Sequence, residues 1–228
     1  MSGGVERVEA PLGKSAAAPE VIFFVGDSIT LGWGDEDLGG WPARLVGGLA
    51  PRRPVTAYNL GVRSDTSTEI LARWHDEVRR RRRAAPSALI VFAFGANDAK
   101  LDREGRLVTP IETTRRNTAE SLALATRDHQ VLFIGPAPVD EAGIARAINP
   151  TGEVAVPTNR QIAAVSSALA GEAAAAGVPY LDLFRRLADD KAWHDALRET
   201  DGIHPPGRGH DMIAGLVSAW KPWASLFG

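Results

Sequence analysis

Not one of the 228 residues is a cysteine. Disulfides, thiolate metal sites and a cysteine nucleophile are therefore excluded at once. Charge of one sign is also lacking: 26 basic against 28 acidic residues leave a net charge of −2. That balance gives no electrostatic reason to expect nucleic acid or an anionic membrane as partner. No apolar run reaches the ~18 residues that span a bilayer, so stable membrane insertion is not expected. The first twenty residues, Met1–Glu20, are rich in Gly, Ala, Pro and charge. They lack the apolar core of roughly 7–15 residues that marks a signal peptide. The expectation is a flexible N-terminal tail over 1–20 on a cytoplasmic protein. No His-Glu-x-x-His, no phosphate-binding loop and no Gly-x-Gly-x-x-Gly occurs, so no motif for a metal or nucleotide cofactor is present.

What is there reads as an ordinary soluble domain, with 44% apolar and 24% charged residues, enough chain to bury one sizeable core. Five apolar runs have strand length and end in turn residues: Val21–Val25, Val55–Leu60, Ala88–Phe94, Val131–Ile134 and Val178–Leu183. Their hydrophobicity is nearly continuous rather than alternating, as in strands covered on both faces. Helical spacing fills the gaps. Thr66–Arg83 carries Ile70, Leu71, Trp74 and Val78 on one face, with Asp65 or Thr66 as cap. Ile111–Arg127, Thr158–Ala176 and His210–Phe227 read the same way. Alternating strand and helix predicts a parallel sheet with helices on both faces. No linker or repeat interrupts 21–228, which is expected to be a single domain. The arginine run Arg79–Arg83 is read as a solvated helix end, where cations complement the helix dipole.

Four constellations fall at strand ends or in loops, where open α/β sheets place their ligand sites. Gly26-Asp27-Ser28-Ile29-Thr30 follows the first strand and exposes a serine hydroxyl at a strand-to-helix turn. Asn59-Leu60-Gly61 follows the second; Gly61 is either a plain turn glycine or a backbone N–H open to a substrate oxygen. Gly95-Ala96-Asn97-Asp98 follows the third, and Asn97 either turns the chain or offers its amide to an oxyanion. Asp201-Gly202-Ile203-His204 lies in a Gly/Pro-rich loop before the last helix. Asp three residues before His in one turn can reach the ring Nδ1, leaving Nε2 free to take a proton from serine. His210, six residues on, is the rival base. A metal cluster of His204, Asp201, His210 and Asp211 is the less favoured reading of the same loop.

These four blocks, in this order, resemble the SGNH hydrolases, also called GDSL esterases and lipases. Ile29 stands where the family's short name has Leu. The resemblance implies a three-layer α/β/α sandwich of flavodoxin-like type on a five-stranded parallel sheet. It implies Ser28 as nucleophile, His204 as base and Asp201 as its orienting acid. The N–H groups of Ser28, Gly61 and Asn97 would form the oxyanion hole. No metal and no cofactor is implied. The expected partner is a small-molecule acyl ester or thioester, hydrolysed through an acyl-enzyme. An acyltransferase with the same triad, or a non-catalytic binding module of the same fold, remains open, as do acyl specificity and oligomeric state. Trp33, Trp41 and Trp193 are each weighed towards core packing. The stretch Pro136–Pro157 is a candidate lid. Arg63 is assigned an ion pair with Asp65 or Glu69, with an anionic substrate group as the alternative.

Overall fold

In the computed structural model, the described residues are 18–227, without 38, 51–53, 83–87, 103 and 149–155. The expected tail over 1–20 thus falls almost wholly outside them. In chain order the elements are β1 (Val21–Gly26), α1 (Ser28–Leu31), α2 (Gly40–Leu49), β2 (Thr56–Gly61), α3 (Ser67–Arg82) and β3 (Ala88–Ala93). There follow β4 (Lys100–Leu101), α4 (Ile111–Asp128), β5 (Gln130–Ile134), α5 (Glu141–Ile148), β6 (Val156–Pro157) and α6 (Asn159–Ala175). The chain closes with β7 (Tyr180–Leu181), α7 (Leu183–Leu187), α8 (Lys191–Leu197), α9 (Gly207–Ser218) and α10 (Lys221–Phe227).

The main sheet has the order β2-β1-β3-β5-β7, and its neighbouring strands run parallel throughout. Successive side chains of a strand point to opposite faces, and here both faces are buried. Phe23, Val25, Ile90, Phe92 and Phe133 enter one apolar cluster with Trp74 of α3, Leu122 of α4 and Val165 of α6. Ile22, Phe24, Leu89, Val91 and Leu132 enter the other with Trp41 of α2, Trp193 of α8 and Ile213 of α9. This is why β1 and β3 read as unbroken apolar runs, and it gives a three-layer α/β/α sandwich. β2 departs from that expectation: Thr56, Ala57 and Asn59 are exposed because β2 is an edge strand. β4 and β6 form a separate antiparallel pair.

Helix ends follow local chemistry. Thr66 accepts from the Thr68 N–H, and the Glu69 carboxylate reaches back to the Thr66 N–H at 2.9 Å, a reciprocal cap on α3. Its far end carries Arg79, Arg80 and Arg81 in exposed ion pairs with Asp76 and Glu77; Arg83 lies outside the described residues. The last expected helix, His210–Phe227, is two helices. α9 begins earlier, at Gly207, and stops at Ser218, while Pro222 opens α10. Proline has no N–H to continue α9 and its ring would clash with the preceding turn, whereas the first turn of a new helix accepts it.

Sheet order reverses beside β1: the chain moves from β1 out to β2, then crosses to β3 on the other side. Ligands of open α/β sheets bind at the carboxyl ends of strands flanking such a reversal. Ser28 follows β1 and Asn97 follows β3.

Candidate active site

The turn after β1 is built by close approach. A Cβ on Gly26 would lie 2.2 Å from the Thr30 hydroxyl and 2.3 Å from the Ala93 carbonyl, so only glycine fits. Asp27 is buried and caps α1, its Oδ1 accepting from the Ile29 N–H at 3.0 Å. Burial pushes its carboxyl up to about 6, against the pull of that N–H and of His204. Ser28 opens α1, so its own N–H has no acceptor within the helix. The helix ends at Gly32, in the left-handed region at φ 96°, and turns the chain toward Trp33.

Across from this turn, the loop between α8 and α9 carries the other half of the site. Asp201 Oδ1 accepts from the N–H of Ile203 (2.9 Å) and of His204 (2.8 Å), while Oδ2 meets His204 Nδ1 at 2.6 Å. His204 Nε2 in turn lies 2.9 Å from Ser28 Oγ. Nδ1–H directed at the carboxylate leaves Nε2 as the acceptor for the serine proton. Burial opposes the charge on Asp201, but the hydrogen bonds from the His204 ring and backbone and from Ile203 outweigh it. The carboxyl is held at about 2, ionised throughout the range in which an imidazole titrates.

The supports of this loop come from two connections, the one after β5 and the one after α1. Gly202 lies at φ 82°, where a Cβ would be 2.6 Å from the Asp140 carbonyl. The Asp140 N–H bonds the Gly202 carbonyl at 2.8 Å, so the start of the expected lid over 136–157 buttresses the Asp201 turn. Residues 149–155 of that stretch lie outside the described set. The acidic stretch after Trp33 is structural: Asp35 is buried against Arg44 at 2.6 Å, and Glu36 accepts from the Gly207 N–H at 2.8 Å. Gly34 passes so close to Pro205 that a Cβ would stand 2.7 Å from its carbonyl.

Asn97 is buried, and its Nδ2 donates to the Asp65 carbonyl at 2.9 Å. This fixes the amide and leaves its second N–H without an acceptor among the described residues. Beneath it, fully buried Asp98 accepts from the Ser67 N–H and hydroxyl and from the Thr114 hydroxyl at 3.0 Å. One carboxyl thus ties the starts of α3 and α4 to the Asn97 turn, and burial pushes it up from its ordinary value. Sequence reading missed this residue, because Ser67 and Thr114 are far from it along the chain.

Gly61 closes β2 with its N–H already engaged. Its N–H donates to Asn59 Oδ1 at 3.0 Å, and Asn59 Nδ2 donates to the Thr30 carbonyl at 2.8 Å. Its missing side chain has its own reason: a Cβ would sit 2.2 Å from the Leu31 nitrogen, so glycine admits α1 onto the end of β2. The exceptional backbone lies three residues on. Ser64, at φ 67°, is the sole non-glycine residue with positive φ among those described. It is the third residue of a turn closed by Asp65 N–H to the Val62 carbonyl, 3.4 Å, a position that favours glycine. Ser64→Gly is therefore expected to stabilise the protein by about 1 kcal/mol, or roughly 2–4 °C in Tm. A lowered Tm in thermal unfolding would refute the strain.

The remaining histidines have other partners or none. His194 Nε2 contacts the Ala188 carbonyl at 2.7 Å, His75 packs on Trp74, and His129 ends α4. His210 is fully buried in α9, and neither ring nitrogen has a hydrogen-bond partner among the described residues. Burial lowers its pKa, an effect that the nearby charge of Asp35 only partly offsets. Trp41 and Trp193 are core residues, but Trp33 is 43% exposed and stands edge-on to the His204 ring, with centroids 6.4 Å apart. The expected ion pair of Arg63 is not formed. Asp65 is taken by Arg73 at 2.6 Å and Glu69 by Thr66, while the Arg63 guanidinium lies 3.5 Å over the Trp33 ring.

Comparison with known proteins agrees with this architecture. The sequence model of the GDSL-like Lipase/Acylhydrolase family matches residues 24–212. Among solved structures, the lipase/acylhydrolase from Enterococcus faecalis is 26% identical with a TM-score of 0.69, covering 87% of this chain and 93% of its own. An acetylxylan esterase from Geobacillus stearothermophilus is 17% identical with a TM-score of 0.66, covering 92% and 95%. The psychrotrophic esterase EstA from Pseudoalteromonas sp. is 16% identical at 0.62, covering 86% and 93%. No curated protein sequence matches the chain. Its family match runs from within β1 to within α9, enclosing every block on which the site is built: the chain belongs to the GDSL-like lipase/acylhydrolase family and is a hydrolase of ester bonds.

Proposed function

We propose that the protein hydrolyses small carboxylic esters through an acyl-enzyme on Ser28. The observation that carries this reading is the continuous hydrogen-bonded row Ser28 Oγ–His204 Nε2 (2.9 Å) and His204 Nδ1–Asp201 Oδ2 (2.6 Å) at the carboxyl edge of the sheet. His204 takes the serine proton as Oγ attacks the carbonyl carbon. The same ring then returns that proton to the departing alkoxide. Water repeats the sequence on the acyl-enzyme and regenerates Ser28. Asp201 stays ionised, holds the tautomer and stabilises the imidazolium without taking the proton.

The developing oxyanion is met by the Ser28 N–H and the free N–H of Asn97. For the further backbone donor, Ser64 replaces Gly61, whose N–H is occupied by Asn59. Two observations support Ser64: its positive φ, and the bond from Asn97 to the adjacent Asp65 carbonyl. Strained backbone held by surrounding structure is a recurrent feature of such sites.

Asn97→Ala is expected to lower kcat by roughly 10²–10³, with KM changed far less, because the bond forms mainly in the transition state. Initial rates on p-nitrophenyl acetate read this directly. A tenfold KM rise at unchanged kcat would instead make Asn97 a ground-state binding residue. Hydrolysis itself is tested with a panel of acyl esters and thioesters, run with and without acceptor alcohols. Free acid as the main product supports the reading; a transferred acyl product in excess of free acid assigns an acyltransferase.

A further inference from the structure

Four large hydrophobic residues are exposed among those described: Leu31, Trp33, Val62 and Val108. The first three flank the Ser28 turn or directly follow β2, so an apolar surface lies beside the nucleophile. Among the described residues, the cation stacked on that surface is Arg63. Its guanidinium covers the Trp33 ring at 3.5 Å, and Trp33 in turn stands against His204. The two acids nearest in sequence are engaged elsewhere, Asp65 with Arg73 and Glu69 with Thr66. Stacking occupies a face of the guanidinium. Its N–H groups lie in the ring plane and point outward, in the fork that matches a carboxylate.

Resting on the esterase reading above, we propose that Arg63 and Trp33 select esters whose alcohol half carries an anionic group, such as a carboxylate, on an aromatic or apolar body. The side is set by His204. Its Nε2 protonates the departing oxygen, so the indole beside that ring lies along the departing half and not along the acyl chain. Trp33 receives the apolar body and Arg63 the charge. The acetyl ester 4-acetoxybenzoate fits this description: Ser28 Oγ forms the bond to the acetyl carbon, the carbon–phenoxide bond breaks, His204 supplies the phenol proton, and water releases acetate.

The test pairs 4-acetoxybenzoate with its uncharged methyl ester, on the wild type, Arg63→Gln and Arg63→Lys, with p-nitrophenyl acetate as control. Arg63→Gln should raise KM for 4-acetoxybenzoate about five- to tenfold, the effect of one charge-assisted bond at an exposed site. Its effect on kcat, and on both parameters for the methyl ester, should be several-fold smaller than that rise in KM. Arg63→Lys should recover part of the loss, since it keeps the charge but not the fork. Raising salt should increase KM for the carboxylate alone. Equal effects on both esters would reduce Arg63 to a structural role, and no effect on either would remove it from the site. If p-nitrophenyl acetate is hydrolysed but neither 4-acetoxy ester is, the proposal fails while the esterase reading stands. Failure of p-nitrophenyl acetate as well would remove both.

Discussion

Ser28→Ala is expected to lower kcat on p-nitrophenyl acetate by about 10⁴–10⁶ while leaving the fold intact. At 1.36 kcal/mol per decade, that is a barrier increase of roughly 5–8 kcal/mol. The size follows from what is lost. Without Oγ no acyl-enzyme forms, and His204 Nε2 loses its 2.9 Å partner; only the oxyanion donors and substrate binding remain to assist water. The fold should survive because Ser28 Oγ bonds to no core element. The turn itself is held by Asp27 on Ile29, by Thr30 on the Ala93 carbonyl and by the close approach of Gly26. Circular dichroism and thermal unfolding check the second half of the expectation, and covalent labelling by a fluorophosphonate checks the first. The label should add to Ser28 in the wild type and to nothing in the variant. More than a tenth of the activity retained in a folded variant would remove Ser28 from the role of nucleophile.

The contrast between Asp201–His204 and Gly61 shows which parts of the site were legible in the sequence. Asp201 and His204 are three residues apart, so one turn brings them together whatever the rest of the chain does. Ser28 follows a strand whose apolar run is unmistakable because both faces of β1 are buried. β2 was harder to read, being an edge strand with exposed Thr56 and Asn59. Gly61 was ambiguous because glycine has two uses in such a place. The close passage of α1 and the capture of its N–H by Asn59 are facts of tertiary packing, not of local sequence. Likewise, Asp65 chose Arg73, eight residues on, over Arg63, two residues away. Side-chain direction decides this: Arg73 lies on α3, where it also donates to the Gly26 carbonyl and to Glu77. Asp98 was invisible as a support because its partners Ser67 and Thr114 start two different helices. Local chemistry was therefore readable, and choices among distant partners were not.

Replacing each histidine of the last loop and helix separates the two candidate bases. His204→Ala should silence the enzyme to nearly the level of Ser28→Ala, since the pair acts as a unit. His210→Ala should keep chemical activity per folded molecule within about threefold and act on stability instead. The buried, unpartnered ring of His210 fills core volume, and truncating a large buried side chain costs about 2–5 kcal/mol. His210→Phe or His210→Leu, which keep most of that volume without the orphaned nitrogens, should restore part of the loss. Asp201→Asn belongs between wild type and His204→Ala, because the ring remains while its orienting charge is gone. The same variant has a signature in stability. Asp201 is held at about 2 in the folded protein against an ordinary 3.8. Its contribution is therefore present above about pH 4 and is lost as pH falls toward 2. Asp201→Asn should flatten that acid limb of the unfolding curve, which His210→Ala should not do. His210 works in the same direction at higher pH. A buried imidazole held below its ordinary value stabilises when neutral, and that stability fades as acid protonates it in the unfolded chain. Steady-state rates on p-nitrophenyl acetate, paired with unfolding measured from about pH 2 to 8 (a range set by these carboxyl and imidazole titrations), distinguish the roles. An inactive, folded His210→Ala together with an active His204→Ala would move the base to α9 and leave the Asp201–His204 pair a loop clasp.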